Sequence, residues 1–498
     1  MSKNSRNVQT HWVRPHQPEG SSRDQIWALS DYDHTMPAFN IPIVAVYSCS
    51  LRGAEKDSLI ETLKGSLEQT LGQYIQFGGK LQIHDETGQY TIKTSDNDAV
   101  ELSVKHHDDP DDDYVPSYAS LERQAFPPML LDGKKLLPRI MTEKQTLTQH
   151  GYFVEDDAPV AMFMVTFIRG GLVFGIGLHH LATDVSGLDG FLQSWAANNR
   201  NLMNGLALAP FDDSILDRAL LTHAGSPPDE NQWTELDQKV KFVKLLDEIP
   251  QPPPPDFKMP DTSEVLFHFP KSKIVKLKTA ASPADADAWV SSYDSIMALC
   301  WRCLTRARQS SFSGNTTTAL MHAVNGRNRL KPQLAKYYIG NVAMHGRPEL
   351  TFDEVVAPDA FPRLAAMVRT TNVEVDDDLY KSAVEWVAGV TDKRRIALNM
   401  NAFLGPDVAS TSWQGLSAHQ TWDFGFGTPK AIRWPKPDID GFVFYFPARN
   451  TGDPDEGVEL VVCLEDSAMQ KLLEDQEWLN YAVVKGPRSC FDLDVARA

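Results

Sequence analysis

Apolar and polar residues alternate along the first 180 positions in a way that predicts one amphipathic helix and several strands. Residues 57–73 carry apolar side chains three and four positions apart, which predicts a helix with one buried face. Short runs at 80–83 and 90–94 predict strands. The almost uninterrupted apolar runs at 160–167 and 172–178 are joined by Ile-Arg-Gly-Gly and predict a buried hairpin.

A histidine stands at the end of this hairpin. Residues 178–187 read Leu-His-His-Leu-Ala-Thr-Asp-Val-Ser-Gly, and helical spacing resumes at 187–196. His180 therefore lies where a strand reaches the edge of a sheet and a helix carries the chain away. An imidazole in such a place can accept a proton near neutral pH, so the residue is a candidate general base.

Asp184, four residues after His180, admits two interpretations. Its carboxylate can fix the surroundings of the histidine, either directly or by pairing with an arginine. The alternative is an ordinary loop histidine followed by an aspartate that caps a helix. A metal site is not expected, because the neighbouring His179 and His180 side chains of a strand point to opposite faces.

A proline-rich stretch near mid-chain divides the sequence into two halves. Prolines punctuate 227–260, and such a composition predicts an extended spacer. We expect an N-terminal lobe at 1–225, a crossover linker at 226–262 and a C-terminal lobe at 263–498, because 498 residues exceed what one core usually organises.

The C-terminal half continues the mixture of strands and helices. A strand is predicted at 264–269 and a short basic helix at 272–278. Ser292 is placed to cap a further helix, and a last helix is predicted at 471–481. Strands and helices in both halves favour an α/β class with mixed layers.

Composition excludes several classes of function. A net charge of −18 argues against nucleic acid as a partner, because phosphate binding needs a basic face. The N-terminus lacks a signal-peptide core, and the apolar run at 158–167 is too short to span a bilayer, so a cytoplasmic location is expected. The five cysteines are scattered, and Cys300 and Cys303 are read as core thiols.

The charge run at 106–116 predicts a solvated surface loop. Calcium binding is the alternative for this run, although it lacks the glycine and the distal glutamate of an EF-hand.

Several further motifs, taken in order with the first, resemble the BAHD family of coenzyme A-dependent acyltransferases. His180-Leu-Ala-Thr-Asp184 matches the family's His-x-x-x-Asp, and Asp423-Phe-Gly-Phe-Gly427 matches its Asp-Phe-Gly-Trp-Gly. Four further family segments also have counterparts. They are the helix that opens the second domain (292–303), the Gly-Arg-x-Arg segment (324–330), the Tyr-Phe-Gly-Asn segment (338–341) and a Thr-Ser-Trp (411–413). The chain departs from the family at Phe426, where tryptophan is usual, and at Val185, where glycine is common. The fungal trichothecene O-acetyltransferase-like branch is the most similar in character.

The resemblance implies two similar-sized chloramphenicol-acetyltransferase-like lobes, each a mixed sheet with flanking helices, and an active site at their interface. It implies His180 as the general base and Asp423 as a second signature residue, catalytic or structural. It also implies an Asp184–Arg327 pair. Thr411 would supply the hydroxyl that donates a hydrogen bond to the oxyanion, and Trp413 would be a wall of the site or a second donor. Asn341 either lines the same space or forms a turn.

The resemblance also sets expectations for ligands. Acetyl-CoA or another acyl-CoA would be a co-substrate, with no permanently bound cofactor, and its phosphates would need a basic pocket. Lys276, Lys278 and Ser292 are the candidates. The acceptor would be a hydroxyl of a bulky alkaloid, terpenoid or polyketide, and the enzyme a monomer without membrane or nucleic-acid partners. The alternatives are an amide- or ester-forming enzyme like a condensation domain, which shares the fold and a His-His-x-x-x-Asp core, and a non-catalytic binding protein.

Overall fold

The computed structural model describes most of the chain. The described residues are 8–139, 141, 146–148, 151–153, 157–251, 254, 256–258, 260–285 and 288–488. The first seven residues, Cys490 and parts of the predicted linker (252, 253, 255 and 259) lie outside the described residues.

The first lobe is built on a six-stranded mixed sheet. Its strands follow the order β1-β6-β9-β10-β3-β18, and all neighbours are antiparallel except β6 and β9. The predicted buried hairpin is confirmed as the antiparallel pair β9 and β10. The strand bounds are β1 Val8–Val13, β3 Asn40–Ser48, β6 Val100–His107, β9 Ala161–Ile168, β10 Gly171–His179 and β18 Ala431–Arg433.

The second lobe is built on a larger mixed sheet. Its order is β14-β13-β17-β19-β20-β12-β21, with β15 also paired to β13. The strand bounds are β12 Thr262–Phe269, β13 Thr317–Asn325, β14 Ala343–Gly346, β15 Glu349–Thr351, β17 Val408–Ser412, β19 Phe442–Phe446, β20 Val458–Glu465 and β21 Val483–Lys485.

Three small sheets complete the strands. They are β2 Gln25–Ala28 with β5 Tyr90–Thr94 and β4 Lys80–Ile83, then β7 Thr146–Thr148 with β8 Gly151–Phe153, and β11 Val243–Leu245 with β16 Ile396–Leu398.

Helices cover the sheets and enclose two large hydrophobic cores, one for each lobe. The helix predicted over 57–73 is confirmed and begins three residues earlier. The helix bounds are α1 Ala54–Gln73, α2 Tyr118–Arg123, α3 Gly133–Leu136, α4 Val185–Met203, α5 Glu230–Lys239, α6 Lys271–Ala281, α7 Ser292–Ala307, α8 Phe352–Val356, α9 Phe361–Glu374, α10 Asp377–Gly389, α11 Ala418–Thr421, α12 Asp466–Glu474 and α13 Gln476–Tyr481.

The lobes are not independent along the chain. Strand β18 belongs to the second half of the sequence but pairs with β3 at the edge of the first sheet. The polypeptide therefore crosses back, and the second half contributes to the core of the first.

Local details correct three sequence predictions. The linker predicted as an extended spacer contains α5, because Asp229 and Gln232 form a capping box and no proline falls within the helix. Helix α7 is capped by Ser291, not by Ser292, since Ser291 and Asp294 form its capping box. The predicted last helix is two helices separated at Asp475, whose side chain caps the second.

The predicted acidic loop begins at Asp108, because His106 and His107 still belong to β6. In the part of the chain that the structure describes, no helix is long and apolar enough to cross a membrane.

Candidate active site

A cavity of about 520 Å³ lies between the two lobes. The first lobe supplies the loop after β10 and residues around Phe39, and the second supplies β13, β14, β17 and the segment that follows β17. The walls are largely apolar and a few polar groups converge on the space, which is the usual make-up of a small-molecule site. His180, Asp184, Thr411 and Trp413 all line it.

His180 is positioned by the end of the buried hairpin. Strand β10 ends at His179, and the next backbone amide, that of His180, donates to the Phe39 carbonyl at 2.7 Å. The Phe39 ring meets the imidazole edge to face at a centroid distance of 5.4 Å. The His180 imidazole therefore lines the cavity, and its backbone is held by the end of β10 and by the Phe39 carbonyl.

Burial lowers the pKa of His180 below its usual value, although the nearby Asp184 and a hydrogen bond with Asn341 oppose the shift. A lowered pKa keeps the imidazole neutral at neutral pH, the state in which it can accept a proton. The adjacent His179 is buried and its Nδ1 accepts from the Leu181 amide; burial lowers its pKa to about 3. Among the described residues, no group of three or more His, Cys, Asp or Glu is arranged to hold a metal ion.

Asp184 does not bond to His180; it braces the loop. Its two oxygens accept hydrogen bonds of 2.8 Å each from the two terminal nitrogens of Arg327. They also accept from the amides of Ser186 and Gly187, so the same side chain caps α4. The Val342 amide donates to it as well, at 3.0 Å. The Asp184 carboxylate is thus both the cap of α4 and an arginine-paired brace between the lobes.

The electrostatics of this pair follow from its partners. Burial would raise the pKa of Asp184, but the Arg327 guanidinium and the amides of Gly187 and Val342 outweigh it and hold the pKa below its ordinary value. Arg327 also donates to the carbonyls of Tyr338 and Gly340. A bidentate pair of this kind, with further hydrogen bonds from both terminal nitrogens of the arginine, fixes geometry as well as charge.

Asn341 stands directly behind His180. Its Oδ1 lies 3.1 Å from His180 Nδ1, and its Nδ2 donates to the His180 carbonyl at 2.8 Å. Two residues that sequence reasoning missed, Asp33 and Arg218, form a buried ion pair beside it. They lie about 150 residues before and 40 residues after the histidine, and no spacing signal links them to it.

Thr411 and Trp413 follow from the course of β17. Thr411 lies near the end of that strand, and its side chain faces the cavity. Trp413 is 3 % exposed and packs against Trp434, Phe444 and Phe446 while it also lines the cavity. It therefore serves at once as a wall and as part of the core.

Asp423 lies elsewhere. Its Oδ1 accepts from the amides of Gly425 and Gly427 at 2.8 and 2.9 Å, so it closes a tight turn. Arg200, near the C-terminus of α4, donates to the Asp423 carbonyl. Sixteen residues of helix separate Asp184 from Arg200, or about 24 Å at the α-helical rise. Asp423 is absent from the described lining of the cavity, and its catalytic role remains a prediction that this placement disfavours.

The residues predicted to hold coenzyme A are also not brought to the cavity. Lys276 and Lys278 are exposed on α6, and Ser292 is exposed at the first position of α7. The described lining contains none of the three, although it contains the neighbouring Tyr293.

A different cationic residue, which the sequence analysis did not assign to acyl-CoA, stands at the cavity instead. Arg329 lines the cavity, and it donates to the Asn372 side chain and to the Val375 carbonyl. Arg369 lies over the exposed Trp289 ring at 3.8 Å. Burial lowers the pKa of Arg329, and the like charge of Arg369 lowers it further.

Comparison with known proteins places this architecture in a family. A model of the transferase family matches residues 130–479, well over half of the chain. A second model, described as the trichothecene 3-O-acetyltransferase-like N-terminal domain, matches residues 40–197. The two matches overlap across the hairpin and the His180 loop.

Curated relatives are similar over almost the whole chain. Acetyltransferase FGR3 of Gibberella zeae is 29% identical over 450 residues, which cover 88% of this chain and 86% of that protein. A hydroxycinnamoyltransferase of Narcissus pseudonarcissus is 27% identical, with 93% and 98% covered.

Solved structures share the two-lobed fold. TRI101 of F. graminearum, in complex with coenzyme A and T-2 mycotoxin, superposes with a TM-score of 0.74 at 18% identity, covering 92% of this chain and 99% of that one. Vinorine synthase gives 0.64 at 18% identity, with 97% and 100% covered. At these identities the likeness establishes the fold.

Proposed function

Because the chain belongs to the transferase family of coenzyme A-dependent acyltransferases, we propose that it transfers an acetyl group from acetyl-CoA to a hydroxyl of a bulky secondary metabolite. The observation that carries the proposal is the neutral, cavity-facing imidazole of His180 between the lobes. The similarity to a fungal acetyltransferase supports acetyl as the acyl group. The apolar cavity of about 520 Å³ suits a bulky alkaloid, terpenoid or polyketide acceptor.

His180 acts as the general base in this proposal. Its imidazole removes the proton from the acceptor hydroxyl as the oxygen attacks the thioester carbonyl. The tetrahedral intermediate then breaks its C–S bond and expels the coenzyme A thiolate, which accepts that proton from the imidazolium. No covalent enzyme intermediate is needed, because the thioester is already activated. Proton transfer of this kind typically contributes about 10²–10⁴ in rate.

Thr411 is the proposed donor to the oxyanion. Its side chain lies on β17, a wall of the cavity that His180 also lines, and a hydroxyl there can donate to the developing negative charge. Removal of one such donor in other enzymes costs about 3–4 kcal/mol of transition-state stabilisation. Trp413, locked by its ring contacts, bounds the space beside it.

The phosphates and adenine of acyl-CoA are proposed to lie at Arg329, Arg369 and Trp289. Neither arginine forms an ion pair with a carboxylate among the described residues, although the protein has a net charge of −18. Two like charges held together without counterions favour an anionic ligand. The exposed indole beside them offers a surface on which a purine can stack.

A thiol-release assay tests the proposed chemistry. Acetyl-CoA is incubated with a panel of hydroxylated terpenoids, alkaloids and polyketides, and release of free coenzyme A is followed for the wild type and for His180→Ala. We expect acceptor-dependent release, reduced at least 100-fold in His180→Ala while the melting temperature is unchanged. His223→Ala, a histidine outside the cavity lining, is the matched control. Near-normal turnover by His180→Ala would refute the mechanism.

A second variant tests the acyl-CoA site. Arg369→Gln removes the charge but leaves a shorter polar side chain, so we expect the KM for acetyl-CoA to rise about tenfold, while kcat stays within twofold. Arg363→Gln is the control, because Arg363 lies on the same helix and is exposed and paired with Glu354. Equal KM values for the two variants would exclude Arg369 from the site.

A further inference from the structure

A second buried carboxylate stands behind the catalytic loop. Asp33, in a short 3₁₀ helix at Tyr32–Thr35, is fully buried. One of its oxygens accepts from the Asn341 backbone amide and side-chain amide, both at 2.8 Å. The other accepts from the backbone and hydroxyl of Ser30 and from Arg218 at 2.6 Å. Five donors thus surround it, and two of them belong to Asn341.

These contacts fix the orientation of the Asn341 amide. Its nitrogen lies within hydrogen-bond distance of Asp33 Oδ1 and of the His180 and Leu181 carbonyls, at 2.8, 2.8 and 3.3 Å. The carboxylate and the two carbonyls are acceptors, so the amide NH₂ must face them. The Asn341 oxygen is therefore the atom that faces His180 Nδ1, at 3.1 Å.

The oriented amide in turn selects one tautomer of His180. A carboxamide oxygen only accepts, so Nδ1 of a neutral imidazole must carry the hydrogen at this position. Nε2 is then the nitrogen with the free lone pair. The opposite tautomer would set two lone pairs against each other at 3.1 Å.

We propose that Asp33 is a positioning residue, which acts through Asn341 to keep the lone pair of His180 on Nε2. Arg218 neutralises the buried carboxylate, and its other terminal nitrogen donates to the Ala182 carbonyl at 2.7 Å, inside the loop between His180 and Asp184. One ion pair thus holds both the imidazole and its backbone. The proposal rests on the role of His180 as the base.

The first measurement uses the wild-type protein without substrate. Nitrogen-15 NMR of histidine-labelled protein, with His180 assigned from the His180→Gln variant, reports which ring nitrogen is protonated. We expect the Nδ1–H tautomer at neutral pH. A ring protonated on Nε2 would overturn the proposal whatever the activity, whereas full activity of His180→Ala would overturn only the base assignment.

The second measurement uses substitutions. Asp33→Ala removes the anchor of the amide, so we expect both tautomers in the spectrum and a kcat lower by roughly 10- to 100-fold, with the KM for acetyl-CoA within twofold. Asp33→Asn retains an oxygen that can accept from Asn341. Compared with Asp33→Ala, it should therefore restore part of the Nδ1–H tautomer and part of the kcat. Asp31→Asn, two residues away and bonded to the His223 amide, should match the wild type. An unchanged tautomer in Asp33→Ala would overturn the proposal, even if stability fell.

Discussion

Two loops of the molecule carry the signature motifs, and they differ in what their aspartates hold. Asp184 and Asp423 each accept hydrogen bonds from two backbone amides a few residues later in the chain. Asp184 is also buried, and it binds Arg327 and the Val342 amide from the other lobe. Asp423 is half-exposed, and its carboxylate closes the turn of its own loop.

The two motifs contact opposite ends of the same helix, α4, and have different structural roles there. The N-terminus of α4 is capped by Asp184 beside the cavity, and its C-terminal part binds the Asp423–Gly427 loop through Asn199 and Arg200. Between these ends, Trp195 packs against Phe424 at 5.2 Å. The first loop is therefore part of the site, whereas the second attaches the C-terminal half to the first lobe.

Asp184→Ala should have the largest effect on stability in this comparison. The substitution leaves Arg327 buried without its partner, a change that typically costs about 3–5 kcal/mol. Urea unfolding would show this as a lower midpoint with an unchanged slope. Asp57→Ala, an exposed aspartate of α1, is the control. A loss below about 1 kcal/mol would mean that the pair does not brace the lobes.

Gly427→Ala should have a smaller effect. Gly427 has φ +94°, and an added Cβ would meet no atom within 4 Å, so only backbone strain opposes the substitution. That strain costs about 1–2 kcal/mol in the free energy of unfolding, while kcat per folded molecule should stay near the wild-type value. Gly133→Ala, where φ is negative and the contacts are ordinary, is the matched control.

The same variant can break the comparison. If Gly427→Ala lost as much activity as His180→Ala while it stayed folded, the Asp423 loop would have a direct part in the reaction. Such a result would contradict its assignment as an attachment between the halves.

Sequence reasoning was accurate for elements that local patterns determine. The strands at 80–83 and 90–94 have the predicted bounds, because apolar residues alternate with polar ones up to clear turn residues. The prediction of an extended spacer at 226–262 was wrong, because this proline-rich segment contains a capped helix. The prediction of a single helix at 471–481 was also wrong, because Asp475 caps a second helix. In each case a hydrogen-bonded cap outweighed the composition of the segment.

The candidate site was predictable only in part. His180 and Asp184 were found from their spacing and from the strand and helix around them, and Arg327 from the family resemblance. Lys276, Lys278 and Ser292 were chosen because they are basic or polar and lie near a predicted helix, a criterion that does not tell which face of the helix meets the cavity. Arg329 and Arg369 need the fold, since they lie on a loop and on α9.

The sequence by itself predicted several strands and helices in both lobes, showed the resemblance to the family, and marked His180 as the candidate base. These depend on residues close together in the chain, where periodicity and capping leave a readable pattern. Only the tertiary structure decided that Asn341 and Asp33 meet behind His180. Asn341 is 161 residues from His180 in the chain, and Asp33 is 308 residues from Asn341. Such contacts arise from how two sheets pack across an interface, and no local pattern encodes that packing.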